Sequence, residues 1–289
     1  MKMRQSTLNS ALGCAHKLTY MFDPTIPYYN SVVRAMGTAV HAGHEAYYNH
    51  RKETGEVHTE VRPWLEAALV SFQDEIERAE DRFDWRLEPA KPHLKTPKKE
   101  VRLDFDSAAR KIAAGLVHYH ANKCYWPEGY SVLAAELSFD LPWEDKEDWI
   151  RHGTIDLVLT EDATGDVILV DHKTSKAPPK AGKYSAASTP QASYYLDAFQ
   201  RLDLVDPFAS IEFVYDVLTL NPPGKEPKFD RIREPRSPAQ IKTVQMQAEL
   251  LIDLIDAGGP FIPNTDSFLC SEMYCDYWDR CPYGSTLKG

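Results

Sequence analysis

Residues 153–176, GTIDLVLTEDATGDVILVDHKTSK, constrain the fold of this chain more than any other stretch. Two β-rich runs, Ile150–Leu159 and Asp166–Asp171, flank a tight turn at Gly165 and read as adjacent hairpin strands. Asp156 lies early in the first strand and Asp171 at the end of the second. Lys173 follows two residues later, on the same face of an extended chain. Such a hairpin brings two carboxylates and one ammonium to one rim. Carboxylate oxygens with open positions suit Mg²⁺ or Mn²⁺, and a lysine beside them can act on a water nucleophile or on the charge growing on a phosphate. Strand-end carboxylates are also ordinary turn residues, so the triplet by itself decides nothing.

The flanking chain supplies the rest of an α/β plan. Residues 1–125 read as helical. Ser6 caps a helix running to about Phe22, and Asn30 caps a second with Val33, Met36 or Gly37, Val40 and His44 at helical spacing. Trp64, Leu65, Ala68, Leu69 and Phe72 mark a third. Asp104 or Asp106 opens a fourth through Ala108, Ile112, Leu116 and Tyr119. Prolines 89, 92 and 97 interrupt residues 86–100. Tyr130–Leu141 alternates like a strand, and after the hairpin come a helix at Thr189–Leu202, a strand at Ile211–Leu218 and a helix at Ser237–Asp256. The expected division is a helical region over 1–125, a core over 126–260 and a cysteine-rich segment over 261–289.

Composition narrows the class. A 289-residue chain with 43% hydrophobic and 26% charged residues is globular, and its net charge of −10 argues against a module that merely coats nucleic acid. There is no apolar run near the ~20 residues of a membrane span and no signal-peptide core, so an intracellular, cytoplasmic protein is expected. The stretch G-x-x-x-x-G-K-[ST] is absent, so no ATP motor of this type is expected.

Four motifs in order carry a family resemblance: Gly37-Thr-Ala-Val-His41, Gly153-Thr-Ile-Asp156, Asp171-His-Lys173 and Gln191-Ala-Ser-Tyr-Tyr195. Together they resemble the PD-(D/E)XK nuclease superfamily, in particular its RecB-like branch. The resemblance implies a restriction-endonuclease-like fold, with a mixed central sheet flanked by helices. It also implies that His41, Asp156, Asp171 and the backbone carbonyl of His172 bind the metal, with Lys173 acting on water or phosphate. Glu136, in AELSFD, matches an acidic position one strand earlier. Gln191 and Tyr195 share one helical face and would position DNA or brace the site. His172 stands where an aromatic residue is more usual.

Five cysteines in a chain without a secretory signal do not suggest a disulfide framework. Cys14, Cys270, Cys275 and Cys281 lie at the two ends, the last three spaced C-x4-C-x5-C; Cys124 stands apart. Four thiolates match the ligand set of a [4Fe–4S] cluster, and zinc or plain buried thiols are the alternatives. One N-terminal and three C-terminal cysteines are also what iron–sulfur RecB-like nucleases have, the AddB nuclease domain and CRISPR-associated RecB-like exonucleases among them, although the commoner form includes a C-x2-C pair.

The resemblance implies DNA, chiefly single-stranded, as the partner, and a metal-dependent exonuclease of repair, recombination or replication, alone or beside a helicase. A scaffold subunit of a larger nuclease or CRISPR adaptation complex is the alternative. Lys176, Lys180 and Lys183, and a second cluster at Lys91, Lys95, Lys98 and Lys99, are candidates for phosphate contact. Tyr28, Tyr29 and Trp126 are candidates for base stacking.

Overall fold

The computed structural model describes residues 1–289 apart from 24, 27–29, 58–59, 89–94, 186–188, 221–224, 268, 272–274 and 285–289. Strand β1 (Lys2–Arg4) leads into helix α1 (Gln5–Gly13), a 3₁₀ turn at Ala15–Lys17 and helix α2 (Leu18–Met21). Strand β2 (Asn30–Ser31) precedes the 23-residue helix α3 (Val32–Thr54), which is followed by α4 (Arg62–Ala79). Three short strands follow, β3 (Phe83–Asp84), β4 (Arg86–Glu88) and β5 (Val101–Arg102), then α5 (Phe105–Ala121). The second half runs β6 (Tyr130–Trp143), β7 (Lys146–Glu161), β8 (Val167–Ser175), α6 (Gln191–Gln200), β9 (Ile211–Thr219), β10 (Lys228–Arg233) and α7 (Pro238–Asp256).

The central sheet is mixed, in the order β1-β7-β8-β9-β10, with β6 paired along the other edge of β7. β6–β7–β8 is an antiparallel meander. β9 returns parallel to β8 through α6, and β10 closes antiparallel on β9. Period-two alternation covers both faces. Leu157, Leu159, Ile168, Val170 and Val214 pack under Tyr47 and Tyr48 of α3 and Trp64 of α4. Val158, Leu169, Phe213, Tyr215 and Val217 pack against Leu8 of α1, Ala192 and Phe199 of α6 and Val244 and Ala248 of α7. This is the restriction-endonuclease-like α/β arrangement expected from the motifs. Among the described residues no helix is long and apolar enough to cross a membrane.

Several local expectations are corrected. The first helix does not reach Phe22: it ends at Gly13, and Cys14 is extended (φ −167°, ψ 105°). Ser6 lies inside α1, whose N-cap position is Arg4 without a side-chain cap. Ser31, not Asn30, caps α3, its side chain accepting the Arg34 N–H, while the Asn30 amide is spent on Glu75. Asp104 does cap α5, and Ser237 caps α7 in a reciprocal box with Gln240. The periodicity did not reveal β1 or β10; both are short, β1 pairing with distant β7 and β10 with β9, the strand before it.

Candidate active site

Strand register builds the acid row. Ala135 pairs with Leu157 and Leu137 with Ile155, so Glu136 stands opposite Asp156. Leu157 pairs with Val170, so the next position outward sets Asp156 opposite Asp171. Three carboxylates therefore line up across β6, β7 and β8 on one face. A bulge in β6 between Val132 and Ala134 precedes Glu136, whose φ of +50° is left-handed backbone rarely adopted by a residue with a Cβ. That local strain sits at the acid row, where strained residues tend to serve a site.

Beyond Leu157 and Val170 the described ladder between β7 and β8 ends. The His172 N–H donates instead to Asp156 Oδ2 at 2.7 Å. His41, from α3, brings Nδ1 within 3.3 Å of the same oxygen. One ligand atom each from His41, Glu136 and Asp156 lies within 4.8 Å of the others, which is the spacing of a metal-ligand set. Gly37, one turn before His41, lets α3 approach: a Cβ there would lie 3.1 Å from Thr174 Oγ1 of β8.

Asp171 is held from two sides. Gln191 Nε2, at the first turn of α6, donates to Oδ1 at 2.6 Å, and Lys173 Nζ lies 2.6 Å from Oδ2. The second contact is an ion pair without the angle of a directed hydrogen bond. Tyr195, one turn along α6, is buried in the core beneath the site and packs edge-on to Phe139. Gly153 makes room for both rings, since a Cβ would meet Phe139 Cζ at 2.6 Å and Tyr195 Cε1 at 3.0 Å. The first residue of the G-x-x-D motif and the last of Q-x-x-x-Y are thus complementary in shape.

The electrostatics describe a site short of positive charge. Burial, with Asp156, Glu45 and Asp171, pushes Glu136 up to about 8. Burial pushes Asp156 and Asp171 up to about 6 against the pull of Lys173. Burial and the Lys173 ammonium draw His41 down to about 4, leaving a neutral imidazole able to ligate. Burial opposes the charge on Lys173, but Asp171 and Asp156 outweigh it and hold its pKa above the ordinary lysine range. A divalent cation among these groups would relieve the carboxylate repulsion. Glu45 was not singled out from sequence, although its place four residues after His41 puts it on the same helical side.

Other expected contacts lie elsewhere. The Lys176 ammonium donates to the Leu87 carbonyl of β4. Lys95, Lys98, Lys99, Lys180 and Lys183 are exposed; Lys91, Tyr28 and Tyr29 lie outside the described residues. Trp126 is corrected as a stacking platform: it is buried under the Arg231 guanidinium, 4.0 Å from its ring, and belongs to the core. Tyr194 is structural, its hydroxyl donating to the Met3 carbonyl at 2.6 Å and so anchoring β1.

The cysteine quartet gathers at a second place. Cys14, Cys270, Cys275 and Cys281 line one cavity together with His16, Tyr20 and other residues of both chain ends. Extended Cys14 turns away from α1, and its Sγ accepts the Asn264 N–H at 3.4 Å. Tyr20 stacks on Tyr277 at 5.1 Å, and the four thiols, none of them in a disulfide, are half-buried. Cys124 lies apart, its carbonyl accepting from Arg231 and its thiol pushed up to about 11 by burial.

A search of curated proteins gave no significant match. Among solved structures, one described as "Crystal structure of SSO0001" is 14% identical, with 96% of this chain and 95% of that chain covered and a TM-score of 0.35, too low to carry an argument. A comparison with protein-family models matched residues 5–282, a span that includes all four motifs and the acid row they build. On that match, across nearly its whole length, the chain belongs to the PD-(D/E)XK nuclease superfamily.

Proposed function

We propose that this chain is a RecB-like, divalent-metal-dependent exodeoxyribonuclease that acts at single-stranded DNA ends. The observation that carries the reading is the convergence of His41, Glu136 and Asp156 on one point beside the Asp171–Lys173 pair. In this reading His41, Asp156, Asp171 and the His172 carbonyl hold Mg²⁺ or Mn²⁺, with Glu136 completing the oxygen set. When bound, such an ion would supply Lewis acidity toward the phosphate and a more acidic water. Lys173, kept charged by Asp171 and Asp156, offers the scissile phosphate an ammonium rather than serving as a base. Gln191 fixes the rotamer of Asp171, and Tyr195 supports the floor of the site. The RecB-like motif set supports the end-directed action and a role in repair, recombination or replication, with a separate helicase to supply the strand. The complete ligand-and-lysine set speaks against a purely scaffolding subunit.

The four terminal cysteines would hold a [4Fe–4S] cluster. Four thiols on one cavity fit that donor set, and Cys14 without a close sequence partner fits a zinc knuckle poorly. The cluster's contribution is a cross-link between the two chain ends.

The test uses anaerobically purified protein with 5′- or 3′-labelled linear single strands and a circular control, in Mn²⁺ or Mg²⁺. The expected result is cleavage of linear strands only, reduced about 10³-fold or more in Lys173→Ala. Equal attack on the circle would remove the end-directed part. A folded, iron-loaded wild type without cleavage would favour the scaffold.

A further inference from the structure

The His44 and His172 rings lie outside the acid row, yet they are among the most enclosed polar side chains described, the two residues being 2% and 3% exposed. His44 follows His41 by three residues on α3. The His172 ring faces α3, whereas Asp171 and Lys173 point to the opposite face of β8. The two rings meet at 4.4 Å between centroids, inclined by 57°. Tyr119 covers His44 at 4.5 Å and Tyr48 stacks on His172 at 5.8 Å, while the two tyrosine hydroxyls bond each other at 2.9 Å.

Both nitrogens of both imidazoles are enclosed, and none has a hydrogen-bond partner among the described residues. A direct N–H···N bond between the rings would put the centroids roughly 5 Å apart and nearly in plane. Tilted rings at 4.4 Å do not make it. Each buried polar group left unpaired costs about 1–3 kcal/mol. Two neutral imidazoles present two donors and two acceptors, the complement that internal water satisfies.

We propose that His44 and His172 form a water-bridged imidazole brace that ties α3 to β8 and so positions the metal ligands on both sides of it. On α3 the brace lies one turn from His41. On β8 it grips the residue whose N–H holds Asp156 and whose carbonyl is the expected metal ligand. An aromatic ring at position 172 would fill the space but carry no bridge. The inference rests on the metal-site reading above, and both histidines are positioning residues.

The test is Mn²⁺ affinity, read as free ion by electron paramagnetic resonance on the full-length protein, beside thermal unfolding. The variants are His44→Leu, His172→Phe, their double, His172→Asn and, as control, Asp156→Asn. Each brace single is expected to weaken binding about 10-fold, and the double no more than the worse single, because either change already breaks the bridge. His172→Asn, which keeps a donor and an acceptor, recovers most of the loss. If His172→Phe does not fold, His44→Leu and His172→Asn carry the comparison. Affinities within about twofold of wild type in the singles, or losses that multiply in the double, overturn the brace. Binding that Asp156→Asn abolishes but the brace variants leave intact overturns the brace alone. A wild type that binds no Mn²⁺ overturns the metal reading and the brace with it.

Discussion

The acid row and the cysteine quartet are built from different parts of the chain, in different ways. Glu136, Asp156 and Asp171 sit on neighbouring strands whose register is set by a core buried on both faces, so their spacing follows from the sheet. Cys14, Cys270, Cys275 and Cys281 sit on turns and an extended residue, outside any strand or helix, and meet only because the two ends of the chain meet. The first centre is preorganised by the fold. The second lies where no ladder runs, and single contacts tie the ends: Asn264 reaches Cys14 Sγ and the Gly13 carbonyl, and Tyr20 stacks on Tyr277.

The two centres should therefore fail differently. Cys14→Ser is expected to release iron and cost about 3–5 kcal/mol, the scale of cross-linking a very long loop, read as a fall in melting temperature and in denaturant midpoint. Lys173→Ala should leave both midpoints near wild type, and Cys124→Ser should keep the iron. Equal melting of Cys14→Ser and wild type would erase the distinction between the centres.

The acid row carries its own signature, a dependence on pH without metal. Asp156 and Asp171 titrate near 6 and Glu136 near 8 in the folded chain, above their unfolded values of about 3.9 and 4.3. These carboxyls bind protons more tightly in the folded state, whereas His41, His44 and His172, drawn down by burial, bind them less tightly below about pH 6.5, so the two sets oppose each other there. Between about pH 6.5 and 8 Glu136 acts alone among them, and stability falls as pH rises through that window. The melting temperature of metal-free protein should drop from pH 7 to pH 8, Mn²⁺ should restore it most at pH 8, and Glu136→Gln should flatten the slope. A metal-free protein that becomes more stable toward pH 8 would contradict the charge balance assigned to the row.

Gly153→Ala probes the packing beneath the row. Its methyl group would press on Phe139 and Tyr195, and a loss of about 1–3 kcal/mol by chemical denaturation is expected. A neutral outcome would mean that the two rings yield. The smallest effect belongs to Arg34→Ala, which removes an exposed 2.6 Å pair with Asp276 between α3 and the cysteine segment. It should cost at most about 1 kcal/mol, and iron retention would show that the thiols do not depend on this tether.

Much of the site was legible in the sequence because strands advertise themselves by period two. Asp156, Asp171 and Lys173 could be put on one rim from the Gly165 turn alone, and the four motifs placed His41 and Gln191 near them. Reading failed where tertiary contacts overrode local pattern. Trp126 looked available for bases but lies under Arg231. The first helix looked continuous through Cys14, where the chain extends to meet the C-terminal segment. β1 went unseen because it is three residues long and gains its hydrogen bonds from β7, far away in sequence, and β10 because its six residues, KFDRIR, are mostly charged.

By itself the sequence determined the hairpin, the alternation that buries the sheet on both faces and the order of the acid, lysine and glutamine motifs. These are local matters, governed by side-chain period and turn chemistry. Only the tertiary structure decided that Glu136 faces Asp156 from left-handed backbone, that Glu45 adds its charge, that His44 meets the His172 ring and that four distant cysteines share a cavity. Those relations depend on register, helix rotation and the closing of long loops, and only the packed core sets all three.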